Sequence, residues 1–346
     1  MMEVVGSTTS IRPLHPTTSP RDCLPPRLLP RLPRLEMSHG AADRPVIIGT
    51  RSARQRVVGS DRVRRRALVT GATRGIGKAA AVALAGAGWD VAVTGRTLRA
   101  GEGRDDSDTG GGRPLPGSLH ETADLIRQSG TDAVELGADL HDHRALRHVV
   151  AKVLAEWGGL DLLVNNAVDT GPGSMVPILE LTVDQMEAKL DANVVAQLVL
   201  IQSVLPSMLE AGAGTIVNVT SHTATADPPG PVGRGGWGLA YAASKAAFHR
   251  FAPLLAIELG DRGIRAYNLD PGYVETERQL VNAAALGLTG HYHGAPPSVP
   301  AAAIVWLAGT TAAVANGETV RALKVALDHD LHPDWRLPPA EAPSAG

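Results

Sequence analysis

Short, almost unbroken apolar runs alternate with longer stretches of helical period along most of the chain. Residues 67–70, 91–94, 133–136, 160–164, 215–219 and 264–269 are such runs, rich in valine, leucine and isoleucine. They predict strands buried on both faces. Residues 78–87 (closed by Gly88), 118–128, 144–157, 183–209, 239–259 and 300–307 predict helices, and 318–325 reads as a closing strand. Strict alternation with right-handed crossovers predicts an α/β fold, one doubly wound parallel sheet over residues 66–325. Residues 326–346 are left as a C-terminal tail.

Three stretches lack the pattern. Residues 1–65 are rich in proline and arginine (Pro25, Pro26, Pro30 and Pro33 among them) and predict a disordered extension. Met37 is an alternative start, and a targeting or nucleic-acid-binding role for this basic N-terminal region, which includes a basic run at 51–66, is the less favoured reading. Residues 98–116, glycine-rich and charged, predict a surface loop, and residues 228–236 a loop overhanging the substrate.

Composition narrows the function classes. With 33 Lys+Arg against 35 Asp+Glu and a formal net charge of −2, the chain as a whole makes no case for a nucleic-acid partner. The single cysteine, Cys23, excludes an internal disulfide and a cysteine metal cage, and fits a reducing cytoplasm. No uninterrupted apolar run has membrane-spanning length, so a soluble protein is expected. His141, Asp142, His143 and His148 lack ligand spacing and read as a solvated helix start, with no metal.

The first strand ends in Thr70-Gly71-Ala72-Thr73-Arg74-Gly75-Ile76-Gly77, followed by an alanine-rich helix. Strand, glycine loop and helix make half of a dinucleotide-binding unit, in which glycines let the backbone approach a pyrophosphate at the helix N-terminus. After the second strand stands Gly95-Arg96-Thr97, where NAD-selecting folds place an acid. A guanidinium there, with Arg74 as a second cation, favours the 2′-phosphate of NADP(H) over NAD(H). Asp139 and Leu140 follow the third strand, placed to bracket an adenine. Asn166 and Ala167 close the fourth, and Thr220-Ser221-His222 closes the fifth. The segment Pro271-Gly272-Tyr273-Val274-Glu275-Thr276 closes the sixth. All lie at the sheet edge where ligands bind in open α/β folds.

Tyr241 and Lys245, four apart, share one helix face. The ammonium is expected to depress the phenol pKa, as a general acid or base near neutrality requires.

From residue 66 to about 325 the chain resembles the short-chain dehydrogenase/reductase family. The likeness rests on the glycine loop, Asn165-Asn166-Ala167, Ser221, Tyr241 with Lys245, and Pro271-Gly272, all in the family's order. The stretch Leu115-Pro116-Gly117-Ser118-Leu119-His120-Glu121-Thr122-Ala123 is similar to the hydroxysteroid dehydrogenase-like branch. The resemblance implies a Rossmann-type fold and a homodimer or homotetramer formed through the long helices around Asn193 and Phe248. It implies Tyr241 as general acid/base, Ser221 as the donor holding the substrate oxygen, and Lys245 on the nicotinamide ribose. Asn193 would hold a water linking Lys245 to solvent. Against the family pattern, Val168 replaces a glycine after Asn-Asn-Ala, and Tyr267 replaces an asparagine, with Asn268 one place later. Residues 228–236 lengthen the spacing from Ser221 to Tyr241.

The expected function is an NADP(H)-dependent oxidoreductase acting on a small-molecule carbonyl/alcohol pair of medium size and partly apolar character. The alternative is a non-catalytic NADP(H)-binding regulatory protein. Residues 278–297, with Leu280, Leu286, Leu288, His291, Tyr292 and His293, are expected to form a mobile lid.

Overall fold

The computed structural model describes residues 64–285, 294–309 and 314–336. The expected disordered extension lies outside the described residues, as do lid residues Leu286, Leu288, His291, Tyr292 and His293 and the end of the tail. Strands and helices alternate in chain order: β1 (Arg66–Thr70), α1 (Gly75–Gly86), β2 (Asp90–Gly95), α2 (Leu119–Gln128), β3 (Ala133–Gly137), α3 (His143–Trp157) and β4 (Leu162–Asn165). Then come α4 (Val183–Leu190), α5 (Ala196–Ala211), β5 (Gly214–Val219), α6 (Leu239–His249), α7 (Phe251–Leu259) and β6 (Ile264–Asp270). The described chain closes with α8 (Glu277–Ala285), α9 (Ser298–Gly309), β7 (Thr319–Arg321) and α10 (Ala322–Asp328).

The sheet order is β3-β2-β1-β4-β5-β6-β7 and every pairing is parallel. Successive strand residues point to opposite faces, so each strand feeds two cores. Val69, Val93, Val164 and Val217 pack with Leu84 of α1 and Ile304 and Leu307 of α9. Leu68, Leu163 and Ile216 pack with Val149 and Val153 of α3 and Leu200 and Val204 of α5. This is the expected Rossmann-type doubly wound sheet. The strand order reverses between β1 and β4, which opens a crevice over their carboxyl ends.

Several elements depart from expectation for identifiable reasons. The helix expected over 183–209 is interrupted by a π-helical turn, Asp191–Val195, which contains Asn193. The helix expected over 239–259 divides at Arg250 into α6 and α7. Pro253 has no N–H to donate to the carbonyl of His249. Asn268 Nδ2 takes that carbonyl at 2.7 Å instead. The closing strand stops at Arg321, and Ala322 and Ala326 then bury one face of α10. Packing continues past residue 325, with Leu331 and Trp335 against Ala295, Val299 and Ala326.

Residues 183–211 taken as one rod are long and apolar enough to cross a membrane, but half of the most apolar window is buried inside the protein. Its contacts with α3 and the sheet make it a core element.

The largest correction concerns residues 98–116. They form a hairpin, with Asp105 N–H donating to Arg113 O at 2.8 Å and Leu115 N–H to Gly103 O at 3.0 Å. Asp105 and Leu115 are buried. Asp108 docks the hairpin by accepting from the Gly173 and Met175 N–H groups at 2.7 and 2.6 Å.

The segment it docks on is held from below. Lys189 of α4 is fully buried, and its Nζ lies 2.7 Å from Asp169 Oδ2 while also donating to the carbonyls of Asp169 and Gly171. Asp169→Ala strands that cation, and the expected loss is about 3–5 kcal/mol in urea unfolding. A loss under about 1 kcal/mol, the size of an exposed pair, would contradict the buried pairing.

Candidate active site

The carboxyl edge is built on close backbone contact. Thr70 Oγ1, at the end of β1, accepts from the N–H groups of Asn166 and Ala167 at 3.0 and 2.9 Å. Asn166 Nδ2 returns bonds to the carbonyls of Thr70 and Gly71 at 2.9 and 3.2 Å. A Cβ on Gly77 would lie 2.3 Å from Gly71 O, and one on Gly71, at φ +65°, 2.8 Å from Ala167 Cα. Only glycine fits at both positions.

Over this junction opens a cavity of about 560 Å³, within the size range of small-molecule and cofactor sites. Of the residues predicted for a cofactor, Gly71, Thr73, Arg74, Gly75, Ile76, Arg96, Thr97, Asp139, Leu140, Asn166, Ala167 and Thr276 line it. Gly77 lies behind Gly71. Pro271, Gly272 and Val274 follow β6 outside the lining, Gly272 at φ +69° with its N–H on Asp270 Oδ1. Val168 also lines the cavity. Tyr267 is buried in the core, so the altered residues of β6 stay out of the cleft.

The wall also contains residues that the sequence did not single out. Asp106 of the hairpin pairs with Arg96 at 2.5 Å, and Asp139 lies 4.0 Å from the same arginine. Arg278 of α8 reaches Asp105 and Asp106 at 3.7 and 3.6 Å. Burial alone would raise the Asp106 carboxyl, but the Arg96 hydrogen bond and charge outweigh it and hold the group below its ordinary value. Burial likewise opposes the Arg96 charge, and the Asp106 bond reverses the balance upward. Arg74 donates to the carbonyls of Pro116 and Gly117 and to the Thr97 hydroxyl. At the start of α1, Gly75 N–H donates to Glu277 Oε2 at 2.8 Å. Acidic residues in a glycine-rich stretch gave no sequence signal of burial.

A second cluster stands at the end of β5. Ser221 lies beside the Tyr241 phenol, near enough to lower its pKa, and its hydroxyl oxygen accepts from the Thr223 N–H and hydroxyl. Burial raises the Tyr241 pKa, the Ser221 hydroxyl opposes that, and the charge of Asp270 adds to it. The expected depression by Lys245 is absent. Lys245 Nζ instead donates to Val219 O at 2.9 Å, and its own pKa falls to about 8 through burial. Asn193 is fully used: Oδ1 accepts from Asp169 N–H at 2.8 Å and Nδ2 donates to Ser244 Oγ at 3.0 Å. Ser244 in turn donates to the Tyr241 carbonyl at 2.9 Å. The side chain therefore ties Asp169 and Ser244 together, and Lys245 is not among its hydrogen-bond partners.

Among the described residues no group of three or more His, Cys, Asp or Glu is placed to hold a metal. His141 and His143 flank Asp191 at 3.2 and 3.1 Å, and Asp142 caps α3. Residues 228–236 turn back on themselves through Arg234 N–H to Pro231 O and contribute nothing to the cavity wall.

Residues 115–285 match the family model of the short chain dehydrogenases. The chain is 30% identical over 287 residues to an NAD-dependent oxidoreductase of Mycobacterium tuberculosis, covering 76% of this chain and 96% of that protein. It belongs to the short-chain dehydrogenase family. A short chain dehydrogenase of Pseudocercospora fijiensis is 36% identical over 211 residues, 61% of this chain and 60% of that one. The chain thus spans less than two thirds of that fungal relative. A 3-oxoacyl (acyl-carrier-protein) reductase of Agrobacterium tumefaciens, solved with NADP bound, superposes with a TM-score of 0.62 at 28% identity, covering 75% of this chain and 93% of that one. The family match begins at the far end of the inserted hairpin.

In this short-chain dehydrogenase the lowered Lys245 pKa has a stability consequence. Between about pH 8 and the ordinary value of 10.5 the folded chain holds fewer protons than the unfolded one. The group's contribution to stability therefore rises with pH across that window and is lost as pH falls through 8. Relative to Lys245→Met, the wild type should gain up to about 1.4 kcal/mol per pH unit there, measured by urea unfolding at several pH values. A pH-independent difference would contradict the assignment.

Proposed function

We propose that the protein transfers hydride between a nicotinamide dinucleotide and a small carbonyl/alcohol pair, with Tyr241 giving or taking the proton. The observation that carries this reading is the placement of Ser221 beside the Tyr241 phenol at the carboxyl edge of β5. The cradle suits the dinucleotide, since the glycine loop packs on the end of β4 too closely for a Cβ at Gly71 or Gly77, and the cavity beside it has cofactor dimensions. When bound, the nicotinamide supplies or accepts the hydride, which leaves the protein to provide proton, oxyanion donor and orientation.

Tyr241 with a raised pKa is protonated at neutral pH, so it can donate to the carbonyl oxygen as reduction proceeds. Ser221 donates a hydrogen bond to the same oxygen. Lys245 contributes a cation at the ribose, and the charge of an oxidised ring would pull the Tyr241 pKa back down for the reverse direction. Asn193 fixes the site by tying Asp169 to Ser244, and through it the Tyr241 backbone.

The cofactor's phosphates would rest on the start of α1, where Glu277 now occupies the Gly75 amide. The NADP(H) reading drew on Arg96 and Arg74, and both are engaged by protein acceptors. Cofactor class is therefore proposed as nicotinamide dinucleotide. A non-catalytic role gains no support, because proton donor and oxyanion donor stand together. Exposed Val195 just before α5, Leu198 of α5, and Leu254 and Ile257 of α7 support assembly as a homodimer or homotetramer through these helices.

Tyr241→Phe should cut turnover by about 10²–10⁴-fold or more while dinucleotide affinity stays near that of the wild type. Retained turnover in steady-state assays over a carbonyl panel would remove Tyr241 from the mechanism. Glu277→Gln removes a carboxylate that competes for the Gly75 amide. It should tighten dinucleotide binding about threefold to tenfold by fluorescence titration, the scale of one charge-assisted hydrogen bond partly offset by a neutral one. Weaker binding would assign Glu277 a supporting role instead.

A further inference from the structure

The acid that NAD-selecting dinucleotide folds carry at the end of the second strand is missing from β2, where Gly95 is followed by Arg96. The hairpin returns one from elsewhere in the chain. Asp106 lies on the wall of the same cavity as Arg96 and Thr97. Its Oδ2 is 2.5 Å from Arg96 Nη2, and its Oδ1 accepts from Thr170 Oγ1 at 3.1 Å and lies 3.6 Å from Arg278 Nη2. The side chain is held from three sides yet remains 31% exposed, so a carboxylate edge is open to a ligand.

The wall's cations are already committed. Arg96 faces Asp106 and Asp139, Arg278 faces Asp105 and Asp106, and Arg74 donates to the Pro116 and Gly117 carbonyls. Arg104 donates to the Gly101 and Gly103 carbonyls. The positive charge at the end of β2 is matched locally, since Asp106 and Asp139 both face Arg96 on the cavity wall. A phosphate ester of about −1.5 to −2 charge has nothing to gain from such a wall, and it must displace Asp106 to reach Arg96. A ribose hydroxyl, by contrast, can donate to a carboxylate that Arg96 holds ionised and in place.

We propose that Asp106, carried in by the inserted hairpin, is the cofactor-selecting residue. It supplies the carboxylate that β2 lacks, accepts from the adenine-ribose hydroxyls, and neutralises Arg96, so that NAD(H) binds in preference to NADP(H). The proposal rests on the nicotinamide-dinucleotide reading above. It also turns Arg96 from a phosphate reader into the residue that positions Asp106.

The test is a fluorescence titration of the full chain with NADH and with NADPH, for wild type, Asp106→Asn and Asp105→Asn. The wild type should bind NADH at least tenfold more tightly than NADPH, and Asp106→Asn should shift that ratio at least tenfold toward NADPH. Asp105→Asn loosens the hold on Arg278 without touching Arg96, so it should change both affinities by the same factor. If Asp106 merely holds the hairpin in place, the two variants will behave alike and the ratio will not move, which overturns the proposal. Wild-type preference for NADPH overturns it as well. Binding of neither dinucleotide by a wild type that melts cooperatively is a distinct result, which brings down the functional reading itself.

Discussion

The backbone junction between the ends of β1 and β4 is the constraint on which the site depends. Thr70 Oγ1 binds two successive N–H groups of Asn166 and Ala167, and Asn166 answers with bonds to two carbonyls of the glycine loop. Satisfying that many buried backbone groups at once demands an approach so close that no Cβ fits on Gly71 or Gly77. The same contact aims the amino end of α1 into the crevice and leaves Gly75 N–H available to an acceptor, a place now taken by Glu277. Parallel strands on either side then bring Arg96, Asp139 and Ser221 to a common edge.

The inserted hairpin changes the electrostatics of that edge without changing the fold. Its acids are spent on particular partners: Asp105 on Arg278, Asp106 on Arg96, and Asp108 on the backbone of Gly173 and Met175. Because Arg278 belongs to α8 and Gly173 to the segment after β4, the hairpin links three walls of the cleft. Arg113 adds a bond to Asn282 of α8 at 3.2 Å. Charge pairs in partly buried surroundings are worth more than exposed ones and are screened less by salt. The network therefore holds the strand-end arginine against Asp106 more firmly than an exposed pair would.

The sheet was legible in the sequence because a strand buried on both faces must be apolar at every position, whatever its neighbours. Residues 91–94 and 215–219 announce themselves in that way. The glycine loop was legible for a similar reason, since close backbone approach fixes residue type and spacing locally, whereas the spacing of Tyr241 and Lys245 showed only that they share a helix face. Breaks in the helices were not legible. The division at Arg250 needs both Pro253 and an amide from Asn268 on a distant strand, and β7 ends where Ala322 and Ala326 find α9. Nor could the pattern reveal that Lys245 turns toward Val219 O and leaves the phenol to burial. The hairpin acids were misread as solvated because charge ordinarily means exposure, and their partners lie far along the chain.

The most direct test of this account is hydrogen–deuterium exchange of the full chain with and without saturating NADH. If the glycine loop and the inserted hairpin wall one cofactor cleft, residues 71–77 and 103–115 should gain protection together, while α7 and α10 stay unchanged. Protection confined to the glycine loop, with the hairpin exchanging as fast as before, would contradict the claim that the hairpin is part of the site.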